Sequence, residues 1–500
     1  MKPAVRATWK LSTLFGDLGA EFHGADVPVE GLTLDSREVE AGECFIALKG
    51  ASNRGTHFVP QALTRGAAAI ALEPEEDLET VNVPRVLVPD LRAKVGLLAA
   101  RLFDHPSREL DVVAITGTNG KTTVAHICAQ ALGQLHGHCG YIGTLGMGTP
   151  GQLRESGMTT PDALHLQAEF ARMRDNGIRA VAIEASSHAL AQCRLNGTRI
   201  RTAVFTGLGH DHLDYHRDHA AYLAAKRMLF THPGLQQAVF NLDDPVAGTM
   251  IEAVAPEVER WGFSLQAEAS SGLISDARYL RLLHADYQRD RSRLEVCLGQ
   301  ARVSVESRLT GDFNAQNLMA CLAVLLAHGI GLEAAAAAVG RVAPVEGRME
   351  RLGGRGRPDV FIDFAHSPDS LERVLRVLRG FHPHRLICVF GCGGDRDRSK
   401  RAPMGRIATT LADLVFLTSD NPRSESPAAI ARDILAGVEQ PERVAVIDDR
   451  RQAIVRALDT AEPEDIVLIA GKGHEKTQES AGVKLPCSDQ AIVMQWLETP

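Results

Sequence analysis

The chain has 500 residues, 45% of them hydrophobic, with 54 lysines and arginines against 62 aspartates and glutamates and a net charge of -8. That length holds about two to four domains, each able to bury its own core. With basic residues spread throughout, the balance excludes the basic stripe of a nucleic-acid-binding protein and the polybasic segment of an anionic-membrane binder. The nine cysteines include no C-x-x-C pair and point to neither a disulfide framework nor a zinc site. The N-terminus carries no signal-peptide core and the alanine run from Ala334 to Ala338 is too short to span a bilayer, so the expectation is a cytoplasmic protein.

From Gly31 to about Glu73, short apolar strands alternate with turns, as in GLTLDSREVEAGECFIALKG, and a helix-and-strand unit follows, ending in GAAAIALE. This predicts a small mixed α/β domain, bounded near residue 109 by the polar, proline-containing DHPSREL. The next segment repeats strand and helix: DVVAITGT, a helix from Thr122 to about Leu135, then AVAIEASSH, TAVFTGLGHDH and QAVFNLDD. Such alternation predicts a mostly parallel sheet covered on both faces. Between about Ala267 and Leu309 the period shifts toward two, predicting an antiparallel insertion before a helix starting near Asn314. The linker RVAPVEGRMERLGGRGRP, Arg341 to Pro358, marks the second boundary. Five strands alternating with helices follow, DVFIDFAH, RLICVFGCGG, DLVFLTSD, RVAVIDD and DIVLIAGKGH, with every polar motif at a strand's C-terminal end, where open α/β sheets bind ligands. The fold class is therefore α/β with three domains: a small mixed α/β N-terminal domain (1–109), a central P-loop ATPase domain with a mostly parallel sheet (110–342) and a C-terminal Rossmann-like domain (343–500).

The stretch AITGTNGKTT carries the chemistry. The pattern G-x-x-x-x-G-K-[ST] would place glycine at position 115, where Ile115 stands, so this phosphate loop is contracted and begins at Gly117. Gly117, Thr118, Asn119 and Gly120 can turn successive N–H groups inward, and the following helix adds its N-terminal dipole. Lys121 would reach the terminal phosphates, and the Thr122 hydroxyl, beside Thr123, would ligate Mg²⁺. The bland alternative is a tight strand-to-helix turn with an exposed lysine. The loop alone also fits a P-loop kinase or a nucleotide switch.

This contracted loop resembles the Mur ligase family, ATP-dependent enzymes that couple an amino acid to a carboxylate in peptidoglycan synthesis, together with their folylpolyglutamate synthase relatives. The resemblance runs from about residue 31 to the end with the motifs in order, and within the family it is to the branch that adds the third residue of the stem peptide. It implies a metal site from Glu184 in IEASSHAL, His212 in GHDHLDYH and Lys226 in AYLAAKRMLF, with Lys226 carbamylated (N6-carboxylysine), because a carbamate can ligate Mg²⁺ and an ammonium cannot. With Lys121 these form the implied catalytic set. Standing alone, Glu184 reads as a strand-end carboxylate, His212 as a loop histidine and Lys226 as a surface lysine of an amphipathic helix.

The resemblance also implies that Asn314 and Asn317 in GDFNAQNLMA, Asp363 and His366 in VFIDFAHSPDSL, and Arg348 in EGRME complete the ATP site. Asn near a helix start is equally a routine cap. Ser36 and Arg37 in TLDSREVEAGECFIAL correspond to the uridine-diphosphate motif. Thr159 and Thr160 of MTTPD, with Ser186, Gln192 and Arg194 of ASSHALAQCR, correspond to muramoyl-peptide positions. Met158, Ala189 and the pair Gly209-His210 depart from the commonest family spelling. For the added amino acid the implied residues are Arg396 in GCGGDRDRSK, Asp420, Asn421, Pro422 and Arg423 in SDNPRSE, and Gly471 and Glu475 in AGKGHEK. The turn SDNPRSE has a backbone role of its own, with Ser426-Pro427 opening a helix, but such a turn does not require an arginine. Arg423 suits the distal carboxylate that separates diaminopimelate from lysine.

The expectation is thus an enzyme using ATP and Mg²⁺ to add meso-diaminopimelate to the D-Glu carboxylate of UDP-MurNAc-L-Ala-D-Glu through an acyl phosphate. The same ligase adding L-lysine is the alternative within the class. The expected partners are these small molecules, without nucleic acid or membrane, on a monomer whose domains close at the linker.

Overall fold

The computed structural model describes residues 8–50, 53–76, 78, 81–209, 211, 215–266, 272, 274–275 and 278–499. At the N-terminal end five strands pair in the order Glu21–His23, Arg85–Leu87, Ala69–Leu72, Glu43–Ile46, Gly31–Thr33, parallel except for the first. Alternate side chains go to opposite faces. Cys44, Ile46, Ala69 and Ala71 enter one core, and Phe45, Ile70 and Leu72 the other. Regular elements precede the strands read from Gly31 onward. The five-residue helix Leu11–Phe15 buries Leu11, Leu14 and Phe15 in the first core, and a helix of little more than one turn has too little periodicity to be seen in advance.

The central sheet has eleven strands among the described residues, ordered Gln152–Arg154, Gly146–Thr149, Cys139–Gly143, Ala180–Glu184, Asp111–Thr116, Thr202–Phe205, Gln237–Asn241, Glu259–Ser264, Tyr279–Tyr287, Ser292–Leu298, Ala301–Ser307. From Cys139–Gly143 to Tyr279–Tyr287 all neighbours are parallel. Val113 and Ile115 pack with residues of the helices Lys121–His136 and Asp312–Ala327, whereas Val112 and Ala114 pack with Leu166 and Phe170 of the helix Ala163–Asp175. Burial on both faces is why these strands read as continuous apolar runs. The predicted antiparallel insertion is instead an extension of this sheet. Tyr279–Tyr287 joins its edge in parallel, and only the next two strands turn back antiparallel. The helix Ala163–Asp175 also lends Ala163, Leu164 and Ala171 to the N-terminal core, beside Leu98 and Leu102.

The C-terminal sheet runs Glu350–Gly353, Asp359–Asp363, Ile466–Ala470, Leu386–Phe390, Leu414–Leu417, Val444–Val446, parallel except for the edge strand Glu350–Gly353. Beyond its last strand a hairpin, Thr477–Ser480 with Val483–Pro486, leans over the sheet's carboxyl end. Among the described residues no helix is long and apolar enough to cross a membrane.

Candidate active site

The loop between Thr116 and Lys121 turns on two glycines whose backbone a larger residue would strain. Gly117 and Gly120 have φ of 153° and 84°. A Cβ on Gly117 would strike Thr206 Oγ1, and one on Gly120 would lie 2.6 Å from Asn317 Oδ1. Lys121 begins the helix and curls back, its Nζ donating to the carbonyls of Gly117 (2.9 Å) and Thr118 (2.8 Å). Burial holds its pKa below the ordinary lysine value, with Glu184 opposing. Thr206 Oγ1 donates to Asn119 O at 2.6 Å, and Gly209 N donates to Thr118 Oγ1 at 2.7 Å, so the next strand's loop braces the cradle.

Glu184, the last residue of its strand, is 0% exposed and acts as the hub. Its Oε2 accepts from Thr122 Oγ1 at 2.9 Å, and its Oε1 from Tyr141 OH at 2.7 Å and from Thr144 N at 2.8 Å. Arg348, from the linker, donates through Nη2 to Thr122 Oγ1 at 3.0 Å, so two domains meet at one hydroxyl. Lys226 is not the surface lysine its helix pattern suggested. It is 1% exposed, its Nζ donates to Gly117 O at 2.7 Å and stands 4.4 Å from the Tyr222 ring. Burial and then nearby Lys121 push its pKa well below the usual lysine value. His212 lies outside the described residues.

Beside the loop a cavity of about 360 Å³ opens between the central and C-terminal sheets, lined by Thr118, Gly120, Asn314, Asn317, Asp363 and His366 among others. Asn314 and Asn317 do not cap their helix. The cap position is Gly311, without a side-chain bond. Asn314 Nδ2 instead donates to Thr310 O (3.0 Å), and Asn317 Nδ2 to Asn314 Oδ1 (3.2 Å), which leaves Asn317 Oδ1 against Gly120. Across the cavity, burial raises the Asp363 pKa to about 6, and its Oδ2 accepts from Met349 N at 2.8 Å. His366 Nδ1 donates to Phe364 O at 2.8 Å, and burial keeps the ring's pKa low. Arg348 stacks on Phe364 at 4.6 Å.

On the other side of Glu184 sit the acceptor candidates. Thr160 Oγ1 donates to Glu184 O (2.6 Å), Ser186 N donates to Thr160 Oγ1 (3.2 Å), and Thr159 Oγ1 lies 3.1 Å from Thr144 Oγ1. Arg194 donates to Thr160 O (2.7 Å) and Gln192 Oε1 (2.7 Å), and its Nη1 touches Met158 Sδ at 3.5 Å. Ser36 Oγ donates to Gln61 (2.6 Å), while exposed Arg37 pairs with Asp35 (2.6 Å). The same loop approaches the acceptor turn, since Glu38 Oε2 is 4.0 Å from His165 Nε2 and His165 Nδ1 is 2.6 Å from Asp162.

The third cluster closes the C-terminal sheet. Asn421 Nδ2 donates to Glu475 Oε2 at 2.8 Å. Arg423 adopts φ 52°, its N donates to Glu479 O (3.0 Å) and its Nη1 to Gly394 O (2.7 Å). A Cβ on Gly393 would lie 3.1 Å from Arg423 Nη1 and 3.8 Å from Arg396 Cγ, so both arginines flank that glycine, with Arg396 exposed. A Cβ on Gly471 would be 2.6 Å from Asp420 Oδ2. Gly394 packs so tightly on the Pro422 carbonyl that it admits no side chain. Ser426 sits at its helix's cap position with Pro427 next, as expected, though its side chain makes no cap bond. Tyr141, Thr144, Lys472 and Glu479 escaped sequence reasoning. Their roles come from folded proximity, although a lysine between two glycines in AGKGHEK was open to notice.

An ATPase-like loop facing a second sheet across a cavity, with a further polar pocket at that sheet's carboxyl end, defines an ATP-using ligase class, and the chain belongs to the Mur ligase family. Residues 28–102, 115–325 and 347–473 match the models for the Mur ligase family catalytic domain, the Mur ligase middle domain and the Mur ligase glutamate ligase domain. The chain is 45% identical over 474 residues, 94% of each chain, to UDP-N-acetylmuramoyl-L-alanyl-D-glutamate--2,6-diaminopimelate ligase of Xanthomonas campestris pv. campestris strain 8004. It is 43% identical over 491 residues, 98% of this chain and 97% of the relative, to the ligase of that name from Xylella fastidiosa strain 9a5c. A solved structure of a ligase of the same name superposes with a TM-score of 0.70 at 34% identity, covering 98% of this chain and 99% of that one.

Proposed function

We propose that this protein uses ATP to phosphorylate the D-Glu carboxylate of UDP-MurNAc-L-Ala-D-Glu and then adds meso-diaminopimelate. The reading is supported above all by the placement of Glu184, whose side chain meets the phosphate loop through Thr122 and whose carbonyl meets the acceptor candidate Thr160. The loop from Gly117 to Gly120 suits a triphosphate, since its two glycines at positive φ allow successive backbone N–H groups to turn inward at the start of a helix. Lys121 Nζ, held by two loop carbonyls, is placed to turn onto phosphate oxygens. Asp363, His366, Asn314 and Asn317 line the space for the nucleoside.

Magnesium fits this donor set. Thr122 and Glu184 supply a hydroxyl and one carboxylate, and among the described residues no three His, Cys, Asp or Glu side chains converge as an all-protein metal site would require. Mg²⁺ is commonly held by one or two carboxylates plus substrate phosphates. When bound it neutralises charge between two anions that must meet. His212 belongs to the same proposal. So does a carbamate on Lys226: burial and then nearby Lys121 favour the neutral amine, the form that captures carbon dioxide, and the resulting anion would offset the charge of Lys121, whose Nζ shares Gly117 O.

The acyl phosphate is then attacked by the free amine of diaminopimelate: the C–N bond forms, the bond to phosphate oxygen breaks and inorganic phosphate leaves. Ser36, Arg37, Thr159, Thr160, Ser186, Gln192 and Arg194 hold the acceptor, and Arg396, Asp420, Asn421, Pro422, Arg423, Gly471 and Glu475 hold the amino acid, within domains spanning 1–109, 110–342 and 343–500. A bare P-loop kinase or nucleotide switch would have no use for that third cluster. The reading places the protein in the cytoplasm, as a monomer without nucleic-acid or membrane partners. With ¹⁸O in the acceptor carboxylate, the label should appear in released phosphate; label-free phosphate would exclude the acyl-phosphate route.

A further inference from the structure

Lys472 is a cation with no access to water, being 0% exposed. Such a group persists in a fold only where its hydrogens are taken up by good acceptors. Its three partners belong to three different segments. Nζ donates to Glu475 Oε2 at 2.9 Å, to Thr477 O at 2.7 Å and to Asn421 Oδ1 at 3.4 Å. Glu479 N donates to the same Asn421 Oδ1 at 2.9 Å, and Asn421 Nδ2 returns to Glu475 Oε2 at 2.8 Å. One ammonium thus ties the turn that carries Arg423, the loop after the last strand and the hairpin over the sheet's carboxyl end.

Two consequences follow for the amino-acid pocket. Glu475 Oε2 is occupied twice by protein donors, so Oε1 is the oxygen left for a ligand, and its direction is set by Lys472 and Asn421. The Lys472 charge also offsets that of Glu475. Burial pushes the Glu475 carboxyl up, yet Lys472, together with Asn421 and His474, holds it below the ordinary value. A pocket whose half-buried carboxylate is already paired from behind repels an incoming carboxylate less than one with that charge unopposed.

Resting on the amino-acid site proposed above, we infer that Lys472 is a positioning and specificity-determining residue: it fixes Asn421 and Glu475 and, by offsetting the Glu475 charge, favours a substrate with a distal carboxylate over one ending in an ammonium alone. The residue touches no substrate itself. It acts through the two side chains it holds.

The test compares the full-length unmodified enzyme with Lys472→Met, Lys472→Arg and Glu475→Gln, using diaminopimelate and lysine with ATP and the muramoyl dipeptide acceptor. Hydroxylamine trapping of the acyl phosphate without amino acid serves as an independent readout. Removing the buried ammonium from this pair predicts a rise of about tenfold or more in KM for diaminopimelate in Lys472→Met. The preference for diaminopimelate over lysine should narrow, while KM for ATP and acyl-phosphate trapping stay unchanged and Lys472→Arg recovers part of the loss. If Lys472→Met does not fold, Lys472→Gln, which keeps a donor without the charge, takes its place with the same expectation. An unchanged KM and preference, or a loss of trapping in step with ligation, would overturn the inference. Failure of the underlying reading looks different: the unmodified enzyme would show no diaminopimelate-dependent turnover, or Glu475→Gln would leave its KM unaltered.

Discussion

On the proposed reading Arg423 has both a side-chain and a main-chain role, and the two can be separated. Its φ of 52° places an L-residue in the left-handed region, and its N–H and C=O are bound to Glu479 O and Ala481 N. Arg423→Ala leaves that strain and removes the guanidinium. Losing the partner of a buried distal carboxylate costs about 2 to 5 kcal/mol, so KM for diaminopimelate should rise strongly with KM for ATP little changed. Arg423→Gly should bind diaminopimelate as weakly yet be more stable than the alanine variant by about 1 kcal/mol, because glycine adopts positive φ freely. Equal thermal stability of the two would show that the backbone at 423 is not strained. Lys226 gives a second test. In carbon-dioxide-free buffer activity should fall, and bicarbonate should restore it in the unmodified enzyme but not in Lys226→Arg; full activity without carbon dioxide would rule the carbamate out.

At the scale of elements, Asp363 joins the end of the strand Asp359–Asp363 to the linker through Met349 N. Its carboxyl is raised by burial from the ordinary 3.8 to about 6. The folded chain therefore holds a proton that the unfolded chain has lost between those values, and the contribution, full below about pH 4, disappears as pH rises through about 6. The size is about 3 kcal/mol for a shift of this extent. Relative to Asp363→Asn, the unmodified protein should lose thermal stability over that window, and parallel pH profiles would contradict the shift. The strands were legible in the sequence because burial on both faces leaves uninterrupted apolar runs, as in Val112 to Ile115, and the motifs were legible because parallel strands deliver them at one end. The helix Leu11–Phe15 was too short to show a period, and the parallel entry of Tyr279–Tyr287 depends on a sheet edge the sequence does not display. Lys226 read as exposed because helical periodicity says which face a residue lies on, not what packs against that face. Tyr141 and Thr144 stood in no motif, and only folding brings them onto Glu184.

Over the whole molecule, the linker carries a contact between the two halves of the proposed ATP site. Gly347, at φ 65°, lies against Gly473 and His474 so closely that a Cβ would collide with the His474 backbone nitrogen, and the next residue, Arg348, reaches Thr122. Gly347→Ala should force these surfaces apart, lowering kcat at least several-fold and enlarging the radius of gyration measured by X-ray scattering with ATP and acceptor present; unchanged scattering and turnover would show that the linker does not set the closure. On the proposed reading, all three clusters serve one ligation selective for diaminopimelate. That reading is tested most directly by phosphate release from ATP in the presence of UDP-MurNAc-L-Ala-D-Glu, with meso-diaminopimelate or L-lysine supplied at equal concentration. Release that depends on the acceptor and on diaminopimelate, with lysine giving little above background, is the predicted result, whereas equal rates with both amino acids, or release indifferent to the acceptor, would contradict it.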